Sequence, residues 1–299
     1  MLDILGVEIR ENEPLSKHST FKIGGPAKIA VFPKNAEDLI SVLKAVKCCN
    51  YKYKIIGNGS NILFDDEGFD GIIIFTKRLS DVEYVHKKNV TEIKVTCGKS
   101  LTELASEAGK KHSLTGLEFA YGIPGTVGGA VYMNAGAYGG QMSDVVKETE
   151  YFDTVSGEVK ILKASEHNFD YRHSVFAEHP EYIIISTTLE LKEGNAEVIF
   201  AAMTKNMTSR REKQPLEYPN AGSTFKRPAG HFAGKLIEDC GLKGYTIGGA
   251  QISEKHAGFT INVGGATSAD VLSLIEHTKE TVKQNFGVEL ESEIIYIPK

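Results

Sequence analysis

Apolar residues recur along this chain with two different periods. From Ala36 to Lys47, Leu39, Ile40, Leu43 and Val46 fall on one face at helical spacing behind Pro33 and Asn35, which predicts an amphipathic helix. Lys52 to Ile56 reads as a strand, Gly57 to Asn61 as a turn, and Gly71 to Phe75 as a second, buried strand, so the chain opens as a small α/β unit. A second unit begins near Leu79. There Ile93, Val95 and Cys97 alternate with polar residues, and Ser100-Leu101-Thr102-Glu103 is a capping box opening a helix to about Lys111. A glycine-dense stretch, Leu114 to Gly140, follows. Val145 to Leu162 then predicts a hairpin turning at Ser156-Gly157, Tyr182 to Leu191 a β-branched strand, and Asn195 to Arg211 a helix.

Pro215, Pro219 and the turn Asn220-Ala221-Gly222 punctuate the chain and place a boundary between about 200 and 215. Beyond it the pattern predicts a helix from Ala233 to Cys240 closed by Gly241, a strand from Gly258 to Val263, a long helix from Ser268 to Phe286 and a terminal strand from Glu289 to Ile297. The expected fold class is therefore α+β, in three parts: 1–78, 79–205 and 206–299.

Composition narrows the function classes. The 299 residues are 41% hydrophobic and 24% charged, values of an ordinary globular protein, which exclude disorder and fibrous repeats. The net charge of −5 is interspersed, so nothing points to nucleic acid. The start, Met1 to Glu8, carries acids where a secretory leader needs cations, and no stretch reaches the roughly 20 apolar residues of a membrane span, so a cytoplasmic protein without a membrane partner is expected. Cys48, Cys49, Cys97 and Cys240 include no Cys-x-x-Cys, and the nine histidines form no His-Glu-x-x-His; no metal site is expected, and His112, His173 and His256 read first as ordinary histidines.

Thirty glycines against nine prolines leave close backbone approach to a ligand as the motif to examine. Gly57-x-Gly59 has Ile62 where a dinucleotide fingerprint needs its third glycine, and Gly98-Lys99-Ser100 has Ile93 where a P-loop needs its first. Both are set aside, the second as a strand turning into a helix cap. The stretch Tyr121-Gly122-Ile123-Pro124-Gly125-Thr126-Val127-Gly128-Gly129-Ala130 admits two readings: backbone N–H groups entering a helix and sitting on a phosphate, or glycines serving close helix packing.

Seven segments, in order, resemble the UDP-N-acetylenolpyruvoylglucosamine reductases, the MurB family. They are Ser19-Thr20-Phe21-Lys22-Ile23-Gly24-Gly25, Gly57-Asn58-Gly59-Ser60-Asn61, Gly122-Ile123-Pro124-Gly125-Thr126-Val127-Gly128-Gly129, Tyr171-Arg172-His173-Ser174, Asn220-Ala221-Gly222-Ser223-Thr224-Phe225-Lys226, Gly248-Gly249-Ala250 and Glu291-Ser292-Glu293-Ile294. The resemblance implies a two-part FAD-binding region of the vanillyl-alcohol-oxidase (PCMH) type and a C-terminal substrate-binding domain. It implies non-covalent FAD, NADPH as reductant, a small-molecule UDP-sugar as substrate, and no obligate protein partner. The short path from Tyr171 to the 182–191 strand resembles the compact subtype, which lacks an inserted substrate-capping tyrosine loop.

The resemblance also assigns residues. Gly57, Asn58, Gly59, Ser60, Asn61, Gly122, Pro124, Gly125, Thr126, Gly128 and Gly129 match the cofactor loops. Ser223 matches a proton donor, Arg172 the cation for the substrate carboxylate, and Glu293 the remaining catalytic carboxyl group, which must be protonated or paired with a cation beside a developing dianion. Lys213, Asn220, Lys226, Arg227, Gln251 and His256 are expected to meet the substrate; Arg227 departs from the asparagine common in the family. Two rivals remain. A flavin oxidase of the same fold would often tether its cofactor through a histidine or cysteine near the glycine loops, and a non-catalytic nucleotide-binding module would not bring Ser223, Arg172 and Glu293 together.

Overall fold

The computed structural model describes residues 6–299; of the acidic start of the chain, residues 1–5 lie outside the described residues. Two compact units emerge. The first holds residues 6–10, Ala30–Asn58 and Ile72–Ser209, and the second Glu11–Ile29, Gly59–Gly71 and Arg210–Lys299. A four-stranded sheet in the order β1 (Glu8–Pro14), β2 (Pro26–Phe32), β5 (Phe69–Phe75), β3 (Tyr53–Ile56) contains the strands along which the chain passes from one unit to the other.

In the first unit, α1 (Ala36–Cys48) starts where the Asn35 side chain accepts from the Asp38 N–H at 2.8 Å, a cap that stabilises a helix by about 1 kcal/mol. Its buried face is Leu39, Val42, Leu43 and Val46; Val42 takes the fully buried place expected of Ile40. The main sheet is antiparallel, in the order β12 (Glu158–Lys163), β11 (Val146–Asp153), β13 (Tyr182–Glu193), β7 (Thr91–Thr96), β6 (Val82–His86), with the short β8 (Leu114–Thr115) also on β13. β13 is central, and its run Ile183-Ile184-Ile185 is buried throughout. α2 (Leu101–His112) begins at Ser100, whose hydroxyl accepts from the Glu103 N–H at 3.3 Å, forming the hydroxyl half of the expected box. The glycine-dense stretch folds into α3 (Val127–Tyr132) and a two-stranded hairpin, β9 (Gly136–Ala137) with β10 (Gly140–Gln141). α4 (Val175–Glu178) and α5 (Ala196–Lys213) flank β13 in sequence, the last turn of α5 belonging to the second unit.

The second unit is built on an antiparallel sheet in the order β14 (Asn220–Ser223), β17 (Phe259–Asn262), β16 (Ala250–Ile252), β15 (Thr246–Ile247), with α6 (Ala233–Asp239) and α7 (Ser268–Phe286). The expected Asn220 turn is thus a strand, and an irregular one. Its register slips between Asn220↔Ile261 and Ser223↔Phe259, and Gly222 supplies the positive φ (+79°) that such a bulge requires. The expected terminal strand is shorter than the pattern suggested: regular pairing is confined to β18 (Ile295–Ile297), parallel to β4 (Ile62–Phe64), and the stretch before it joins the unit through an isolated bridge, Phe225↔Ser292. One hydrophobic cluster explains why early segments belong here. Phe21, Ile23 and Leu63 are buried with Phe225, Ile237, Val271 and Leu274, and a fully buried side chain of this size contributes roughly 1.5–3 kcal/mol. α7 is started by a Thr267/Asp270 capping box and by Asp66, whose carboxylate accepts from the Ser268 N–H (2.8 Å), the Ser268 hydroxyl (2.7 Å) and the Ala269 N–H (3.3 Å).

Candidate active site

In the first unit the glycine stretch is held by a segment that sequence reasoning treated only as a helix cap, residues 97–102. Ser100 and Thr126 form an antiparallel bridge; the Leu101 N–H donates to Gly125 O (3.0 Å), Val127 N–H to Lys99 O (2.9 Å) and Gly128 N–H to Cys97 O (2.8 Å). The Thr102 hydroxyl donates to Ile123 O (2.8 Å) and accepts from the Gly122 N–H (3.1 Å). Lys99 underlies this knuckle, buried and ion-paired to Glu107 at 3.2 Å and Glu103 at 3.6 Å. A Cβ on Gly128 would lie 2.8 Å from Cys97 Cβ, and one on Gly57 would lie 2.3 Å from Thr126 Oγ1. Asn58 closes the group, its Nδ2 donating to Pro124 O at 2.5 Å.

These contacts divide the two readings of the glycine stretch by position. The N–H groups of Val127 and Gly128 donate to carbonyls of the 97–101 segment, and those of Gly129 and Ala130 to the Thr126 hydroxyl and carbonyl, so the helical glycines serve close packing. The residues just before the helix differ. Among the described residues no acceptor meets the N–H groups of Gly125, Thr126 or Asn58, nor, in the second unit, those of Gly59, Ser60 and Asn61. Backbone N–H groups without an internal acceptor suit an anionic group such as a diphosphate. At Gly59 (φ +63°) the bare backbone is also required, because a Cβ would lie 2.2 Å from His18 O.

Arg172 sits at the other end of the same short helix. It occupies a tight turn in which Asp170 and His173 exchange backbone hydrogen bonds of 3.2 Å, and its φ of +54° is a strained value for a side chain of this size. The turn is fixed to the end of α3: the Asn134 Nδ2 donates to Asp170 O at 3.0 Å, and the fully buried Ser174 donates its hydroxyl to Tyr132 O at 2.7 Å. α3 therefore carries the 122–129 loop at its start and the Arg172 turn at its finish, over six residues or about 9 Å. The guanidinium stands 5.2 Å from the Tyr171 ring centroid.

In the second unit the structure brings Ser223, Glu293 and Asn61 together. Ser223 ends β14, half-buried, and no hydrogen-bond partner meets its hydroxyl among the described residues. The next residue is pinned on both sides, Thr224 N–H to Gly258 O and Glu293 N–H to Thr224 O, both 2.8 Å. Glu293 thus lies one residue across from Ser223, in an extended stretch before β18 and not within a terminal strand. Beside Ser223, a Cβ on Gly222 would meet nothing within 4 Å, so this backbone is open to close approach. Asn220 aims the strand: its Oδ1 accepts from the Gly222 N–H (2.9 Å) and its Nδ2 donates to Tyr218 O (2.8 Å), engaging the amide that was expected to meet substrate.

The remaining expected residues are dispersed over this unit. Lys226 is ion-paired to Glu291 at 2.5 Å, and the Arg227 guanidinium lies 4.0 Å from the Phe232 ring centroid. Lys213 is exposed on the last turn of α5. Gln251 donates to the Thr246 hydroxyl at 3.0 Å. Burial holds His256 below the usual imidazole value, and its Nδ1 accepts from the Gly258 N–H at 3.1 Å, which leaves the proton of the neutral ring on Nε2. Cys97, the cysteine beside the glycine loop, is buried with its thiol pushed up to about 12, so it supplies no thiolate for a covalent tether. Among the described residues no cluster of three or more His, Cys, Asp or Glu is arranged to hold a metal ion.

Known proteins resemble both parts of the chain. A family profile described as the C-terminal domain of UDP-N-acetylenolpyruvoylglucosamine reductase matches residues 214–297, and one described as an FAD-binding domain matches 27–163. The UDP-N-acetylenolpyruvoylglucosamine reductase of Caldanaerobacter subterraneus subsp. tengcongensis is 47% identical over 95% of this chain and 91% of its own length; that of Anoxybacillus flavithermus is 48% identical over 96% and 93%. The crystal structure of the Thermus caldophilus reductase (MurB) superposes with a TM-score of 0.80 at 34% identity, covering 98% of this chain and 99% of that one.

Proposed function

The chain belongs to the UDP-N-acetylenolpyruvoylglucosamine reductase family, and from that membership we propose how its residues divide the work of the reaction. It is an FAD-containing, NADPH-dependent oxidoreductase that reduces the enolpyruvyl double bond of a UDP-sugar, UDP-N-acetylglucosamine enolpyruvate, to UDP-N-acetylmuramate in peptidoglycan precursor synthesis. The observation that carries this conclusion is the likeness to reductases over nearly the whole length of both chains. Segments 1–78 and 79–205 are assigned to FAD and 206–299 to the substrate. That only α4 separates the Arg172 turn from β13 supports the compact subtype.

Bound FAD supplies the hydride carriage that no side chain provides, from NADPH to one carbon of the enolpyruvyl ether. Within the first unit the backbone N–H groups of Asn58, Gly125 and Thr126 are assigned to FAD, with Gly57, Gly122, Pro124, Gly128 and Gly129 shaping the loops that carry them; within the second unit the N–H groups of Gly59 and Ser60 are likewise assigned to it. An enol ether is electron-rich and accepts hydride only if charge flows into its carboxylate. Arg172 holds that carboxylate, its planar fork offering two parallel N–H donors and keeping its charge at working pH. Ser223 delivers a proton to the adjacent carbon. Its hydroxyl is a weak acid, but it has no competing partner among the described residues and faces a strongly basic carbanion equivalent. Glu293 is assigned as the remaining catalytic carboxyl group beside Ser223, protonated or paired with a cation, and Lys213, Lys226 and Arg227, with Gln251 and His256, are assigned to the substrate.

No helix among the described residues is long and apolar enough to cross a membrane, and nucleotide-linked small-molecule substrates support a cytoplasmic enzyme. The test separates the two half-reactions. Ser223→Ala should retain FAD and be reduced by NADPH at the normal rate, while reoxidation by the UDP-sugar falls by about 10²- to 10⁴-fold, the range for a lost general acid. Equal slowing of both halves would remove Ser223 from the proton-transfer role.

A further inference from the structure

Asn61 belongs to the 57–61 loop, yet its side chain is engaged elsewhere. Its Nδ2 donates to the carbonyl of Glu293 at 2.9 Å, and its own carbonyl accepts from the Ile295 N–H at 3.0 Å. The N–H of Glu293 donates to Thr224 O at 2.8 Å. Both backbone polar groups of Glu293 are therefore fixed, one by the residue that follows Ser223 and the other by the amide of Asn61.

The local structure explains why that amide matters. Glu293 lies outside any regular strand, since ladder pairing resumes only at Ile295. The stretch is located by the Phe225↔Ser292 bridge, by Lys226 N–H to Glu291 O (2.8 Å), by Glu293 N–H to Thr224 O, and by the Asn61 bond. The first three are backbone contacts that almost any sequence can make. The fourth requires a side-chain donor of this length at position 61. Without it the Glu293 carbonyl loses this donor while Ile295 N–H to Asn61 O and the buried Ile294 still hold the chain beyond it, so the peptide tilts against those contacts and the carboxyl group of Glu293 shifts with it.

We propose that Asn61 is a positioning residue for Glu293, acting through the peptide of the catalytic carboxyl residue and not as a side-chain ligand of the flavin. The inference deepens the assignment of Glu293 made above and rests on it. A displacement of about 1 Å at a reacting group can cost on the order of 10²-fold in rate. The bond is located entirely at Glu293, so that loss belongs to the half-reaction in which Glu293 takes part.

The experiment compares wild type, Asn61→Asp, Asn61→Ala, Glu293→Gln and the Asn61→Asp/Glu293→Gln double variant as holoenzymes. Asn61→Asp keeps the shape and replaces the donor with an oxygen. Three quantities are measured: flavin content after dialysis, rate of reduction by NADPH, and rate of reoxidation by the UDP-sugar. The expected result is flavin content and reduction rate within about twofold of wild type, with reoxidation slowed by about 10- to 100-fold. In the Glu293→Gln background the position 61 change should cost less than about twofold more, because what it positions is already lost. Loss of flavin or slow reduction in Asn61→Asp and Asn61→Ala would make Asn61 a cofactor ligand and overturn the proposal, as would full additivity in the double variant. A Glu293→Gln enzyme that reoxidises at the wild-type rate would instead overturn the assignment of Glu293 itself, and the positioning role with it. If Asn61→Asp does not fold, Asn61→Ser, with a shorter donor, carries the same comparison.

Discussion

Gly128→Ala tests the packing of the cofactor knuckle most directly. The added methyl would lie 2.8 Å from Cys97 Cβ and 3.1 Å from Cys97 O, whereas carbon atoms pack at about 3.5–4.0 Å. Neither side yields easily, because Gly128 N–H is bonded to Cys97 O and Cys97 N–H is bonded to Ile185 O in the central strand, both at 2.8 Å. Overpacking of this kind costs about 1–3 kcal/mol. If separation also breaks the Val127–Lys99 and Gly128–Cys97 hydrogen bonds, each adds about 0.5–1.5 kcal/mol, for about 2–6 kcal/mol in all. The assay is denaturant unfolding of four proteins: wild type, Gly128→Ala, Cys97→Gly and the double variant. Cys97→Gly removes the opposing Cβ but leaves Cys97 O at 3.1 Å, so Gly128→Ala introduced into that background should cost clearly less than it does in wild type. A Gly128→Ala protein as stable as wild type, or an undiminished cost in the Cys97→Gly background, would refute the argument.

Two further predictions concern charge and strain. The Asp270 carboxylate accepts from the N–H groups of Thr267 (2.9 Å) and Gly249 (3.2 Å), which hold it below the usual value of 3.8. A lowered folded-state pKa stabilises above the unfolded value, and the contribution disappears as pH falls through the folded one, so the stability difference between wild type and Asp270→Asn should be constant from pH 7 to about 5 and shrink below that. A difference independent of pH between 5 and 2 would contradict it. Arg172→Gly should unfold at least as reluctantly as wild type, and by up to about 1 kcal/mol more so, because glycine relieves the φ of +54°, while reoxidation by the UDP-sugar fails. A clearly destabilised variant would show that the turn is not strained.

What could be read from the sequence was what is decided locally. Asn35 and Ser100 cap their helices because the donor each satisfies is three residues away, and the hairpin of β11 and β12 turns near Ser156-Gly157 because adjacent strands need only a short connection. Membership of the second unit was not legible in 11–29 and 59–71. Their allegiance is set by Phe21, Ile23 and Leu63 burying themselves among residues beyond 220, and three- or four-residue strands such as β4 and β18 are too short to show a period. The candidate residues were found through motif resemblance, but their geometry was not. Nothing near Gly128 in the chain announces Cys97 as its neighbour, nothing around Asn61 announces Glu293, and the terminal pattern of alternation ran on past the point where pairing stops.

The parallel pairing of β4 with β18 has a consequence for synthesis. The two strands are separated by more than 200 residues, and at about 5–20 residues per second a ribosome takes on the order of ten to fifty seconds to cover that distance. Throughout that interval Leu63 and Phe64, both fully covered in the finished protein, have no permanent neighbour strand. A nascent chain carrying such a stretch is a natural client for a holding chaperone, and slow codons late in the message would lengthen its exposure rather than relieve it.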